Sequence, residues 1–211
     1  MSGFDKEHRM YIPKYAESKD AAFLHEFIEA HSFGALITAA DGISANHYPF
    51  LLDAQDGVLW THLARTNPQY GDLKKGGRCL AVFTGPHAYI SPLLYAKTPH
   101  VPTWNYTAVH AECEANLVED DAAIEDILRR TVARFDDRWK YELPTEFTAQ
   151  LRKAIVGVKL KITRLEGKFK LSQNRDRQDY ESVLRAFEGR TGDNDKELLG
   201  YMRRTNPYRA G

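Results

Sequence analysis

Cysteine is scarce in this 211-residue chain: only Cys79 and Cys113 occur, 34 residues apart in strand-like segments. Two free, buried thiols in a reducing compartment are the expected reading, rather than a disulfide scaffold. Net charge is missing too. With 29 Lys+Arg against 29 Asp+Glu, no global positive field exists to drive counterion release, which excludes a protein that coats nucleic acid. The longest apolar runs, such as 33–40, are of strand length, so no membrane span is expected. The first ten residues carry Asp5, Lys6, Glu7, His8 and Arg9 where a signal peptide needs an apolar stretch, so a cytoplasmic protein is expected. No Pro/Gly/Ser-rich linker, repeat or low-complexity tract divides the chain. It reads as one domain over 1–211, with an N-terminal tail over 1–10 and a C-terminal helical region over 176–211.

The familiar chemical motifs are also absent. No Gly-x-Gly-x-x-Gly or Walker loop is present, which argues against classical dinucleotide and NTP binding. Ser91 precedes Pro92 without a Gly-x-Ser-x-Gly context, and no catalytic residue is assigned. His47, His62, His87 and His110 fall in or beside strands but lack metal-ligand spacing, so no metal site is expected.

The sequence does contain a run of strands flanked by helices. Ala22, Phe23, Phe27 and Ile28 share one face of a helix over 20–31. Strands follow over 33–39, 43–53 and 58–63, separated by Asp41-Gly42 and Asp56-Gly57 turn signals. A short helix is predicted from Asn67-Pro68, with Asn67 as N-cap and Pro68 at N1, stopping at Gly76-Gly77. Strands are then read over 78–84, 88–91, 103–118 and 155–166, and helices over 120–138, 145–153, 176–188 and 193–203. Consecutive strands without intervening helices indicate an antiparallel sheet, and their number suits a barrel. Charge is uneven along the chain. Residues 112–146 hold 11 acids and 5 Lys/Arg, a balance of −6, whereas 152–190 hold 11 Lys/Arg and 5 acids, a balance of +6. Such blocks are either solvated faces or docking surfaces.

Three segments carry candidate chemistry. In 60–69 a strand ends, Arg65 follows and a helix start exposes its N–H groups, an arrangement suited to a phosphate or to a plain strand-to-helix turn. In 101–106, Trp104 and Tyr106 share one strand face with Asn105 on the other, so the aromatics either stack on a planar ligand or fill a core. In 165–175, Lys168, Lys170 and Arg175 face either an anionic ligand or a neighbouring subunit, and Ser172 or Asn174 caps the next helix.

Together with Met10-Tyr11-Ile12-Pro13-Lys14, the stretch 45–53 (Ala-Asn-His-Tyr-Pro-Phe-Leu-Leu-Asp) and Gly85-Pro86-His87-Ala88-Tyr89-Ile90-Ser91-Pro92, these segments resemble the PaiB family of FMN-binding negative transcriptional regulators. The resemblance extends in order from Met10 to about Glu188. It implies an α+β fold built on an antiparallel split β-barrel of the pyridoxamine-phosphate-oxidase type with peripheral helices, a homodimer, and FMN near the subunit interface. Segment 62–69 would then hold the phosphate, with Thr61, His62, Arg65, Asn67 and Gln69 as candidates. His47, Trp104, Asn105 and Tyr106 would lie near the ring system, and Lys170 and Gln173 would add polar contacts. Asn46 and Thr61 depart from the family's usual Thr and Gly, and Thr66 from its usual Ala. Tyr70 and Phe169 stand where Trp is common. Two alternatives share the fold: an FMN-dependent oxidoreductase using NAD(P)H, and a haem-binding barrel. Any DNA contact is expected either through the basic stretch that begins at Arg152 and ends at Arg190, or indirectly through another protein.

Overall fold

The computed structural model describes residues 10–209; the tail residues 1–9 lie outside the described residues. After a 3-10 turn at Lys14–Ala16, the elements run β1 (Glu17–Ser18), α1 (Ala21–Ala30), β2 (Phe33–Thr38), β3 (Ser44–Pro49), β4 (Leu51–Asp53), β5 (Val58–Ala64) and α2 (Gln69–Lys74). They continue with β6 (Arg78–Ile90), a 3-10 turn at Pro92–Leu94, β7 (Thr103–Val118), α3 (Asp121–Phe135), α4 (Thr145–Lys153), β8 (Ile155–Lys170), α5 (Arg177–Glu188) and α6 (Asp193–Arg204). The sheet order is β3-β2-β6-β7-β8-β5-β4, with β1 on β8. The pairings of β2 with β3 and β6, β4 with β5, and β5 and β1 with β8 are antiparallel. This is the antiparallel sheet with peripheral helices expected from the sequence.

The described chain groups into two compact units, a larger one of residues 20–84 and 109–165 and a smaller one of residues 10–19, 85–108 and 166–209. In the larger unit the two edge strands of the path, β3 and β4, are separated in sequence by Phe50 alone. Edges one residue apart in the chain can occupy opposite ends of a sheet only if the sheet curls until they meet, and closure of this kind removes the free edges. Phe50 is 1% exposed and packs edge-on against Phe83, 5.4 Å between ring centres. Thr61 Oγ1 on β5 donates to the Pro49 carbonyl at 2.8 Å, pinning the seam from the other side. Leu36, Leu59, Ala81, Val158 and Leu160 fill the interior without measurable exposure, each large side chain contributing about 1.5–3 kcal/mol. Helix α1 starts where Asp20 accepts the Phe23 N–H (3.2 Å) and buries Phe23, Leu24, Phe27 and Ile28. Helix α3 starts likewise at Asp120, which accepts the Ala123 N–H, and buries Ile124 and Ile127.

In the smaller unit, β1 pairs with the end of β8 (Glu17 opposite Lys168). Helices α5 and α6 bury Tyr180, Val183, Phe187, Leu198 and Met202, and the Tyr180 hydroxyl donates to the Met202 carbonyl at 2.6 Å.

Several expected boundaries shift. The strands expected over 78–84 and 88–91 are the single strand β6, because Gly85 and Pro86 continue extended. Strand β8 runs on through Glu166-Gly167 to Lys170. The strand expected over 43–53 breaks at Phe50, where the seam forms. Pro68 rather than Asn67 caps α2, and Asp176 rather than Ser172 or Asn174 caps α5, accepting the Asp179 N–H at 3.0 Å.

Gly34 on β2 shows how closely the barrel wall is packed. A Cβ there would sit 2.7 Å from the Val82 carbonyl oxygen and 2.9 Å from a Phe83 ring carbon. At Gly157 the closest atom, also at 2.7 Å, is the end of the Ile127 side chain, which can move. Gly34→Ala is therefore expected to lower unfolding free energy by about 1–3 kcal/mol, and by more than Gly157→Ala; urea denaturation of the two variants checks this.

Candidate functional site

In the larger unit, the expected phosphate segment is organised around Gln69, whose residue is fully buried. Its Nε2 donates to the Leu36 carbonyl (2.9 Å), with Thr38 Oγ1 at 3.4 Å and the Ser44 carbonyl at 3.5 Å. Its Oε1 accepts from Tyr48 Oη (2.8 Å) and Asn46 Nδ2 (3.1 Å). Asn67 joins the same network: Nδ2 donates to Tyr48 Oη at 3.0 Å, and Oδ1 accepts the Gln69 backbone N–H at 3.0 Å. Burial raises the Tyr48 phenol above its ordinary range, and the Asn67 hydrogen bond partly offsets that. Gln69 and Asn67 thus use their polar atoms to tie α2 to the β2–β3 hairpin.

Arg65 remains accessible. Its side chain is 32% exposed and Nη1 lies 3.1 Å from Glu119, which also accepts from Tyr70 Oη at 3.1 Å. The Arg65 and Tyr70 hydrogen bonds hold the Glu119 carboxyl below its usual range. Thr61 and His62 are adjacent on β5 and point to opposite faces. Thr61 is 1% exposed at the seam. His62 shares its face with Gly157; its Nδ1 is buried without a hydrogen-bond partner among the described residues, and burial lowers its pKa. His47 is exposed on the edge strand β3, stacked at 6.0 Å on the exposed Phe33 ring, while its neighbours Asn46 and Tyr48 turn toward Gln69. The structure therefore brings together Asn67 and Gln69, and leaves Thr61, His62 and His47 facing elsewhere. Cys79 and Cys113 are free and buried, and burial pushes the Cys79 thiol up to about 12 and raises that of Cys113.

In the smaller unit, the β6, β7 and β8 segments present one cation–aromatic face. Trp104 is 53% exposed, with His87 and Tyr89 6.1 and 6.0 Å away between ring centres. Tyr106 lies two residues along the same face of β7, and Lys168 Nζ sits 5.2 Å from its ring centre and 5.4 Å from that of Tyr11. Lys168 is 8% exposed; Nζ donates to the Tyr11 carbonyl at 2.7 Å. Lys170 Nζ donates to Thr103 Oγ1 (2.5 Å) and the Trp104 carbonyl (2.6 Å). Its pKa is lowered by burial first, then by repulsion from Lys168 and Arg175. None of the contacts described for the two lysine ammoniums is to a carboxylate.

Two expected ligand residues serve local structure instead. Asn105 is fully buried, accepting from Ser172 Oγ (3.0 Å) and directing Nδ2 at Met202 Sδ (3.9 Å). Gln173 accepts the Leu171 N–H (2.7 Å) and donates to the Phe169 carbonyl (2.6 Å). Those bonds hold the turn in which Ser172 adopts φ +69°, a left-handed conformation costly for a residue with a Cβ. Sequence reading also missed a buried anchor. Asp179 Oδ1 accepts the Ala96 and Lys97 N–H groups (2.9 and 3.0 Å), and Oδ2 lies 2.7 Å from His100 Nε2. His100 Nδ1 faces Arg175 at 3.3 Å, and Tyr95 packs against both side chains. No spacing signal links residues so far apart in the chain.

Two substitutions separate these structural roles. Gln69→Leu leaves several buried groups unpaired and is expected to cost at least about 2 kcal/mol in urea denaturation. Asp179→Ala is expected to speed hydrogen exchange at the Ala96 and Lys97 amides by about tenfold or more, because each loses its charged acceptor.

Residues 10–164 match the family described as "Putative FMN-binding domain". Protease synthase and sporulation protein PAI 2 of Bacillus subtilis is 34% identical over 201 residues, covering 92% of this chain and 96% of that protein. Among solved structures, the flavocytochrome Anf3 from Azotobacter vinelandii superposes with a TM-score of 0.63 at 16% identity, covering 82% of this chain and 79% of Anf3. The FAD and haem binding protein from Mycobacterium smegmatis gives 0.57 at 14%, covering 74% and 73%. At these identities the two structures support the fold alone. The chain belongs to the PaiB family of split-barrel proteins, whose matched domain makes FMN its cofactor.

Proposed function

We propose that this chain is an FMN-binding regulator that works as a homodimer and holds the flavin on the cation–aromatic face of its smaller unit. One observation carries this reading: Lys168 is almost fully buried and, among the described residues, its ammonium meets a carbonyl and two ring faces, while Lys170 nearby carries a depressed pKa. A buried cation repelled by a half-buried neighbour is costly unless an anion compensates the pair. A phosphate or the anionic edge of a flavin relieves that cost, and the half-exposed Trp104 offers a ring for stacking. FMN, when bound, supplies the redox centre; the chain's own residues bind and orient it. Lys168 and Lys170 lie beyond the matched residues 10–164.

Segment 62–69 supports a second placement for the phosphate. The Arg65–Glu119 pair is exposed on both sides (32% and 59%), and such pairs are worth little, so a phosphate can displace the carboxylate. Asn67 and Gln69 are committed elsewhere, so Arg65 alone carries this version. A direct DNA role has less support. In the basic stretch, Arg152 is bound to Asp121 and Glu125, Arg164 to Glu112 and Arg177 to Glu181. The regulatory role is therefore proposed to run through a partner protein.

FMN titration followed by flavin fluorescence tests these placements. Lys168→Ala and Lys170→Ala are each expected to weaken binding by about tenfold or more, the loss of a charged hydrogen-bonding partner. An equal loss in Arg65→Ala, with both lysine variants unaffected, moves the phosphate to segment 62–69. The pH profile adds a check: because the depressed pKa lets Lys170 lose its proton below the ordinary lysine range, affinity is expected to fall as pH rises toward that range. Sedimentation of the FMN-loaded protein reports the dimer, and bleaching of bound flavin by NAD(P)H would favour an oxidoreductase over a regulator.

A further inference from the structure

A cavity of about 200 Å³ opens in the larger unit, and none of the residues assigned to either FMN placement lines it. Phe50, Leu51 and Leu52 line it together with Ser32 and Glu29 at the end of α1, and with Arg130 and Arg134 from α3. Phe50 and Leu51 are 1% and 7% exposed, so the floor is apolar. The rim is cationic. Arg134 Nη2 donates to the Glu29 carbonyl at 2.9 Å, which fixes that guanidinium over the end of α1. Arg130 lies 5.8 Å from the centre of the Trp60 ring and pairs with Asp126 only at 3.5 Å, on an exposed surface. Trp60 stands directly opposite Leu51 in the β4–β5 pairing, so the indole backs the wall that Leu51 forms.

We propose that this cavity binds a small organic carboxylate with an apolar body, of the size of benzoate or a short fatty acid. Size sets one limit: an apolar cavity of about 150 Å³ accepts benzene, and drug-sized ligands need about 300 Å³ or more. Chemistry sets the other. A guanidinium fork matches a carboxylate in two parallel hydrogen bonds, and the weak Asp126 partner at the surface competes poorly for it. Glu29 is the one carboxylate residue in the lining; its side chain is exposed and able to turn into solvent, and its presence selects against dianions. Occupancy has a structural consequence, because the floor is the seam residue Phe50 and its neighbours. A ligand seated there binds only the closed barrel and stabilises it by mass action. The site therefore suits an effector that reports a small acid to the rest of the fold.

Isothermal titration of the full chain with benzoate and with octanoate, each alongside its neutral amide, tests this inference with or without FMN present. Saturable binding of at least one acid is expected, with the matching amide weaker by about tenfold or more. Arg130→Gln and Arg134→Gln are expected to lose about tenfold each, while circular dichroism and FMN affinity stay unchanged. Leu52→Trp, which fills the floor, is expected to abolish binding without removing either arginine. The inference is overturned if neither acid binds up to about 10 mM, if acid and amide bind equally, or if folded arginine variants bind as wild type. The indole N–H resonance of Trp60 supplies a second readout, expected to shift on saturation and to stay fixed in Leu52→Trp.

Discussion

The larger unit depends on a single-residue join. Strands β3 and β4 occupy opposite ends of the sheet path and are separated by Phe50 alone, so the sheet must curl until its edges meet. Several of the contacts that stabilise this unit act on that closure. Phe50 fills the interior against Phe83, Thr61 clasps the Pro49 carbonyl, and Gln69 ties α2 to both strands of the hairpin that leads into the seam. Two of the residues chosen from the sequence as ligand contacts, Thr61 and Gln69, are placed by this constraint and have their polar atoms consumed by it. Polar residues buried at a closure must be satisfied internally, since nothing there is wet enough to satisfy them otherwise.

The parts of the fold that were legible in the sequence are those encoded locally. Strand β7 and helix α4 have the ends that alternation, proline breaks and caps assign to them, and Asp20, Asp120 and Asp176 each receive a first-turn N–H. Misread boundaries have a common physical origin. Gly85-Pro86 and Glu166-Gly167 look like turns in isolation, yet both pairs stay extended inside long strands whose neighbours in the sheet hold them. Long-range pairing outweighs local preference where the partners are distant in sequence. The break at Phe50 illustrates the converse: a continuous apolar run is interrupted because the topology requires a corner.

The candidate site was legible in its residue types but not in its grouping. Arg65, Trp104 and Lys170 are accessible or charged as expected, whereas His47, Thr61 and His62 face three different surroundings. The alternation rule already separates Thr61 from His62, since neighbours on a strand cannot address one ligand from the same face. Lys168 stands out only in three dimensions. A lysine on a basic strand reads as solvated, and only the Tyr11 and Tyr106 rings closing over it reveal a buried ammonium. The clasp between Asp179 and the loop at Ala96, Lys97 and His100 is invisible for the same reason: its partners lie about 80 residues apart.

The charge balance acquires a different meaning once partners are assigned. Equal numbers of acids and bases exclude a nucleic-acid coat at the level of composition. In the structure many of the arginines of the basic stretch are already matched by carboxylates, Arg152 by two of them. The ammoniums of Lys168 and Lys170 touch carbonyls, a hydroxyl and rings instead, and the proposed flavin placement rests on that difference. A neutral chain can carry a strongly anion-seeking site because the relevant quantity is the local balance of buried charge, and burial amplifies each unmatched cation in a way that net charge does not register.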